Sequence, residues 1–120
     1  NMNAAADCLP VMRGDEALAG LARVDVIKID TEGFEAKVLA GLKETLARHR
    51  PVVLFELTPP VAASLGGTGT LEQGLMALLG PGWRLRCLQA QGERYRLIPF
   101  SFDGHGQAIA VAIPEHSRLG

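Results

Sequence analysis

The feature that most constrains this chain is a strand, a helix and a second strand read in immediate succession between Val24 and Leu57. Val24-Asp25-Val26-Ile27-Lys28-Ile29 is a short β-branched run that favours extended backbone, with Asp30 at its C-terminal end. From Glu32 to Arg48 the apolar residues Phe34, Val38, Leu39, Leu42 and Leu46 recur at helical spacing, which predicts one amphipathic helix with a single buried stripe. Arg48-His49-Arg50 sets positive charge at its C-terminus, where the helix dipole is negative, and Pro51 cannot continue the hydrogen-bond ladder. Val52-Val53-Leu54-Phe55 then runs apolar to Glu56-Leu57 without polar alternation, the pattern of a strand covered on both faces, and Pro59-Pro60 closes it. A βαβ unit of this kind makes its two strands parallel and its crossover right-handed, so the chain is committed to an α/β fold.

Beyond this unit, Gly66-Gly67-Thr68-Gly69 precedes a second helix through Leu71, Leu75, Met76 and Leu79, ended by Gly80-Pro81-Gly82. Trp83 to Gln89 and Glu93 to Ile98 flank a turn at Gly92, which predicts a β-hairpin. A polar loop, Ser101 to Gly106, leads to a last apolar strand, Ala108 to Ile113, ended by Pro114. The expected architecture is one mixed sheet made of the βαβ unit over 24–57 and the hairpin and final strand over 83–114. All of it belongs to a single domain spanning residues 1–120, with Asn1-Met2 read as a tag remnant and start.

Composition narrows the function classes. Twelve basic residues against thirteen acidic ones leave a formal net charge of -1, so no overall field favours nucleic acid or an anionic membrane surface. Cys8 and Cys87 are isolated, without the CxxC spacing of a zinc site, and a reducing cytoplasm is the default compartment. No apolar stretch reaches the length of a membrane span. Gly66 to Gly69 lacks the Lys and Ser of a phosphate-binding loop and reads as a flexible connection. His105 and His116 read as solvated surface residues, and Trp83, Phe100 and Phe102 as core or rim residues.

Val26-Ile27-Lys28-Ile29-Asp30-Thr31-Glu32-Gly33-Phe34-Glu35, followed by Val38-Leu39-Ala40-Gly41 and by Pro51-Val52-Val53-Leu54-Phe55-Glu56, closely resembles the signature of FkbM-family methyltransferases. The resemblance implies a partial Rossmann-like methyltransferase fold, the C-terminal half of its sheet, in which Val24 to Asp30 and Val52 to Leu57 are the fourth and fifth strands. It also implies S-adenosylmethionine as methyl donor and transfer to an oxygen of a small molecule or sugar. In such folds the first strand and its glycine-rich turn hold the cofactor's methionine part, and an acid after the second strand holds its ribose. No G-x-G after an N-terminal strand occurs in this sequence, so the cofactor half is expected to be absent.

The chemistry of the residues fits that placement. Open α/β sheets bind ligands beyond the carboxyl ends of their strands, where Asp30 and Glu56 fall on neighbouring strands. Methyl transfer to a hydroxyl needs in-line alignment and removal of the hydroxyl proton, and carboxylates serve both. Asp30 is the first candidate for orienting donor or acceptor, Glu32 and Glu56 are candidates for base or acceptor binding, and Gly33 permits close backbone approach by the cofactor. Each has a structural alternative: Glu32 and Glu35 as partners of the helix dipole, and Glu56 as the ion-pair partner of Lys28. A third alternative gathers the three carboxylates around a magnesium-like cation, although no metal is assigned.

The competing function class is a non-catalytic interaction or dimerisation module, either a methyltransferase remnant or one piece of a longer polypeptide. An unpaired Val24 to Asp30 edge invites pairing, so a homodimer with the two copies of that strand adjacent is expected.

Overall fold

The computed structural model describes residues 11–31, 33–66 and 70–117. A short helix, α1 (Gly14–Leu18), leads to the first strand, β1 (Val26–Ile29). The single helix predicted from Glu32 to Arg48 is instead two, α2 (Glu35–Ala40) and α3 (Lys43–His49). Asp15 of α1 causes the break. Its backbone N–H donates to the Gly41 carbonyl at 2.9 Å, an oxygen that a continuous helix would pair with the Thr45 N–H. The Asp15 carboxylate takes over at the start of α3, accepting from the Glu44 N–H at 3.0 Å, the Thr45 N–H at 2.8 Å and the Thr45 hydroxyl at 2.7 Å. A residue thirty positions away thus caps α3, supplying acceptors that no neighbour in the sequence provides.

α3 ends where expected. Arg50 adopts a left-handed conformation, φ 52° and ψ 52°, immediately before Pro51. Its guanidinium lies over the Trp83 ring, 4.5 Å from the centroid, and donates to the Pro81 carbonyl at 3.2 Å and to the Gly82 carbonyl. Gly82, with φ 85°, leaves room for it, since a Cβ there would run into the guanidinium. The end of α3 is thereby fastened to the start of the hairpin.

β2 (Val52–Leu57) has the predicted limits and pairs in parallel with β1, from Val26 opposite Val52 to Ile29 opposite Phe55. Pro59-Pro60 begins a further helix, α4 (Pro59–Gly66), rather than only closing the strand. Proline is tolerated in a first helical turn because those N–H groups have no intrahelical partner. α5 (Leu71–Leu79) starts at a capping box, in which Thr70 Oγ1 accepts the Gln73 N–H and Gln73 Oε1 accepts the Thr70 N–H. The hairpin is β3 (Trp83–Gln91) and β4 (Arg94–Pro99), turning at Gly92, and the last strand is β5 (Ala108–Pro114). β5 inserts between β2 and β3, antiparallel to both, giving one five-stranded mixed sheet in the order β1-β2-β5-β3-β4. This mixed α/β architecture is consistent with a methyltransferase-like fold.

The sheet's two faces differ. Ile29, Val53, Phe55, Leu57, Leu85, Trp83, Ala110 and Ala112 pack with Leu39, Leu42 and Leu46 of the α2–α3 segment, Val61 of α4, and Leu75 and Leu79 of α5 in one core. The residues that alternate with them point the other way. β2 is therefore not covered on both faces as its composition suggested: Val53, Phe55 and Leu57 are buried, while Val52, Leu54 and Glu56 are half-buried. Apolar side chains occur on both sides of β2, and this hid the alternation. On the other, largely uncovered face Val26 is 62% exposed, Tyr95 65% and Ile109 39%, whereas Val111 and Ile113 of β5 are buried there. Arg84 shields part of that face near Ile113, reaching the Glu115 carbonyl at 3.1 Å and the Ser117 carbonyl at 3.3 Å. No helix among the described residues is long and apolar enough to cross a membrane.

Candidate functional site

Parallel pairing brings the carboxyl ends of β1 and β2 to the same end of the sheet. Continuing the Ile29–Phe55 register by one residue sets Asp30 beside Glu56. Both line a cavity of about 280 Å³ on the uncovered face. Its polar lining is completed by Lys28 and Tyr95, and Leu54, Leu88 and Ile109 form an apolar floor. Alternation within each strand puts Lys28, Leu54, Glu56 and Ile109 on this one side, and the hairpin brings Leu88 and Tyr95 across from β3 and β4.

Asp30 is exposed and Glu56 half-buried. The ion pairs among the described residues are Arg13–Glu16 and Arg23–Asp25, so Lys28 and Glu56 do not form the pair that would have given Glu56 a purely structural role. Glu56 needs no such partner, because it opens onto the crevice rather than into the core. Lys28 stands opposite Leu54 in the register and lines the crevice together with Asp30 and Glu56.

The turn after Asp30 is held from within. Glu35, the first residue of α2, is 1% exposed, and its carboxylate accepts the Gly33 N–H at 2.9 Å and the Thr31 N–H at 3.1 Å. Burial alone would raise its pKa, but these backbone donors outweigh it and hold the carboxyl below its ordinary value. Glu35 is therefore more than a partner of the helix dipole: it clamps the turn ahead of its own helix. Asp15 follows the same logic, with burial opposed by the Thr45 hydroxyl and the Glu44 and Thr45 N–H groups, and a net lowering.

Gly33 has φ 122°, a conformation side chains rarely adopt, and nothing lies within 4 Å of where its Cβ would be. Glycine is required there by the backbone, and its N–H is already committed to Glu35. Glu32 lies outside the described residues. So does any test of the three-carboxylate cation site that includes it, and among the described residues no three His, Cys, Asp or Glu side chains gather as a metal would require. Cys87 is buried with its Sγ against the Ser101 backbone, and His105 is exposed in a turn whose N–H bonds Asp103 Oδ1 at 2.8 Å.

The residues that sequence reasoning left out of the site are Tyr95 and the apolar floor. The β3–β4 hairpin was legible, but the insertion of β5 that carries it next to β2 was not.

A family model described as Methyltransferase FkbM domain matches residues 7–70, just over half of the 120. That span contains α1, the whole β1–β2 unit and the Asp30 to Glu56 crevice edge. Neither a search of curated proteins nor one of solved structures finds a match.

Proposed function

The chain belongs to the methyltransferase FkbM domain family, and from that premise we propose that it is the acceptor-side half of an S-adenosylmethionine-dependent O-methyltransferase. The observation that carries the reading is the juxtaposition of Asp30 and Glu56, two carboxylates without an ion-pair partner among the described residues, towards the carboxyl ends of adjacent parallel strands and in the lining of one cavity. The acceptor is a small molecule or sugar with a free hydroxyl.

The donor, when bound, supplies a methyl group on a sulfonium cation. The anionic end of the crevice fits such a cation, and the apolar floor of Leu54, Leu88 and Ile109 excludes water from one side of it. Asp30 or Glu56 would accept a hydrogen bond from the acceptor hydroxyl, orient it and take its proton. The fit is partial, since among the described residues no strand and glycine turn precede β1 to cradle the rest of the cofactor. This chain by itself is therefore expected to bind the donor weakly and to be inactive.

Titration of the isotope-labelled chain with millimolar S-adenosylmethionine, followed by NMR, tests this. Amide shifts confined to Asp30, Thr31, Gly33 and Glu56, without saturable micromolar binding by calorimetry, are expected. Absent or scattered shifts would remove the crevice from the site, and micromolar affinity would show that the chain holds a full cofactor cradle.

A specific observation also favours association. The two edges of the sheet are built differently: β4 carries Arg94, Arg96 and Pro99, residues that discourage strand pairing, whereas β1 carries one such residue, Lys28, among the apolar Val26, Ile27 and Ile29. We infer a homodimer in which the two β1 strands meet across a two-fold axis. Light scattering should give the mass of two chains, and a one-chain mass at micromolar concentration would end the proposal. A dimer that shows no donor-induced shifts would favour the non-catalytic interaction module.

A further inference from the structure

We propose that Glu35 is a positioning residue for the crevice: by holding the Thr31 and Gly33 N–H groups, its buried carboxylate fixes the turn after β1 and so the direction in which the Asp30 Cα–Cβ bond points. The inference rests on reading the crevice as the donor and acceptor site.

Asp30 is the first residue beyond the last parallel pair, Ile29 with Phe55, so the β1–β2 ladder no longer holds its backbone. Regular structure resumes only at Glu35. Between them the chain passes through Gly33 at φ 122° and leaves Phe34 60% exposed, so neither an easy backbone conformation nor packing of Phe34 secures the segment. Among the described residues, one side chain does. An ionised carboxylate is an acceptor with two oxygens, and Glu35 gives one to each end of the turn, Oε2 to Thr31 and Oε1 to Gly33.

Burial separates this from ordinary helix-start chemistry. An acid that only complements a helix dipole gains its small benefit while staying in water. Taking a carboxylate out of water is unfavourable unless hydrogen bonds replace its hydration, so a Glu at 1% exposure implies that the bonds it makes matter. Those bonds run to the turn, and the N-cap residue of α2, Phe34, makes no side-chain capping bond of its own. Asp15 provides an internal control. It is likewise a buried carboxylate satisfied at the start of a helix, but it is bonded to Glu44 and Thr45 and not to the segment that follows Asp30.

The test compares Glu35→Gln with Asp15→Asn in the full chain by NMR. The readouts are the residual dipolar coupling of the Asp30 Cα–Cβ bond, hydrogen exchange at Thr31 and Gly33, and the shifts induced by S-adenosylmethionine. In Glu35→Gln the Asp30 coupling should shrink relative to couplings in β2, and exchange at Thr31 and Gly33 should quicken by about tenfold, the consequence of one lost charge-assisted hydrogen bond. Donor-induced shifts at Asp30 should fall with it. Asp15→Asn should lower overall stability yet leave the Asp30 coupling at its wild-type value. An unchanged Asp30 coupling in Glu35→Gln, or equal loss in both variants, would overturn the proposal. If Glu35→Gln does not fold, Glu35→Asp, which keeps the charge but shortens the reach, is read the same way. Donor-induced shifts missing from the wild-type chain count against the crevice as a donor site and leave the coupling result standing, so the two readings fail separately.

Discussion

Within β2, Phe55 is 1% exposed among side chains from α2, α3, α4 and α5, while its neighbours Leu54 and Glu56 look onto an open cavity from the other side of the same strand. The helix-backed face is apolar, and its nearby carboxylates, Asp15 and Glu35, are each bonded to backbone N–H groups. The uncovered face carries Asp30, Glu56 and Lys28 without ion-pair partners among the described residues, beside exposed Val26, Ile109 and Tyr95. The carboxylates Asp15 and Glu35 are satisfied within the fold, whereas Asp30 and Glu56 on the other side open onto the crevice for something else to meet. Stability and chemistry are thus divided between residues that alternate along the same strands.

Substitution should expose that division most sharply at adjacent positions. Phe55→Ala is expected to destabilise the chain by about 3–5 kcal/mol and Leu54→Ala by less than half as much, measured by urea unfolding. Equal losses would mean that the uncovered face is as tightly packed as the other.

Next in size is the Asp15 clasp. Asp15→Ala removes the cap of α3 and leaves the Glu44 and Thr45 N–H groups without it, for a loss of about 2 kcal/mol. The acid side of the stability curve tests both buried carboxylates. Asp15 and Glu35 have pKa values depressed below their ordinary 3.8 and 4.5, so their contribution is complete above those values and is lost as pH falls through the lower folded-state values. Stability should drop with acid in that window, and Asp15→Asn or Glu35→Gln should each flatten the drop. An unchanged acid slope would show that neither carboxylate is charged and bonded in the folded chain.

Gly33→Ala should cost about 1 kcal/mol, because φ 122° disfavours any side chain although the space is open. A neutral result by thermal unfolding would show that the turn relaxes without loss. Smallest of all, Ile109→Thr on the uncovered face should stay within about 0.5 kcal/mol. A larger loss would show that this face is covered in solution.

The β1–helix–β2 unit was legible because β-branched runs, a helical stripe and Pro51 leave one consistent reading, and the parallel register then put Asp30 beside Glu56. What was not legible depends on distant partners. Nothing around Gly41 announces a helix break, since the group responsible is Asp15, and nothing in Ala108–Pro114 announces that it will insert between β2 and β3. Glu35 looked like any acid at a helix start, because burial is a property of the packed chain. β2 hid its two-sidedness because Val52 and Leu54 are as apolar as Val53 and Phe55.

The single tryptophan and single tyrosine fall on opposite faces of the sheet: Trp83 is 2% exposed in the core beneath the Arg50 guanidinium, and Tyr95 is 65% exposed at the crevice. The chain therefore carries its own pair of optical probes. Indole emission reports melting of the helix-backed core and the release of Arg50, whereas phenol absorbance and quenching report what enters or covers the crevice. A ligand or second copy that alters the tyrosine signal while leaving the tryptophan spectrum unmoved can be located to one face of the sheet without any label.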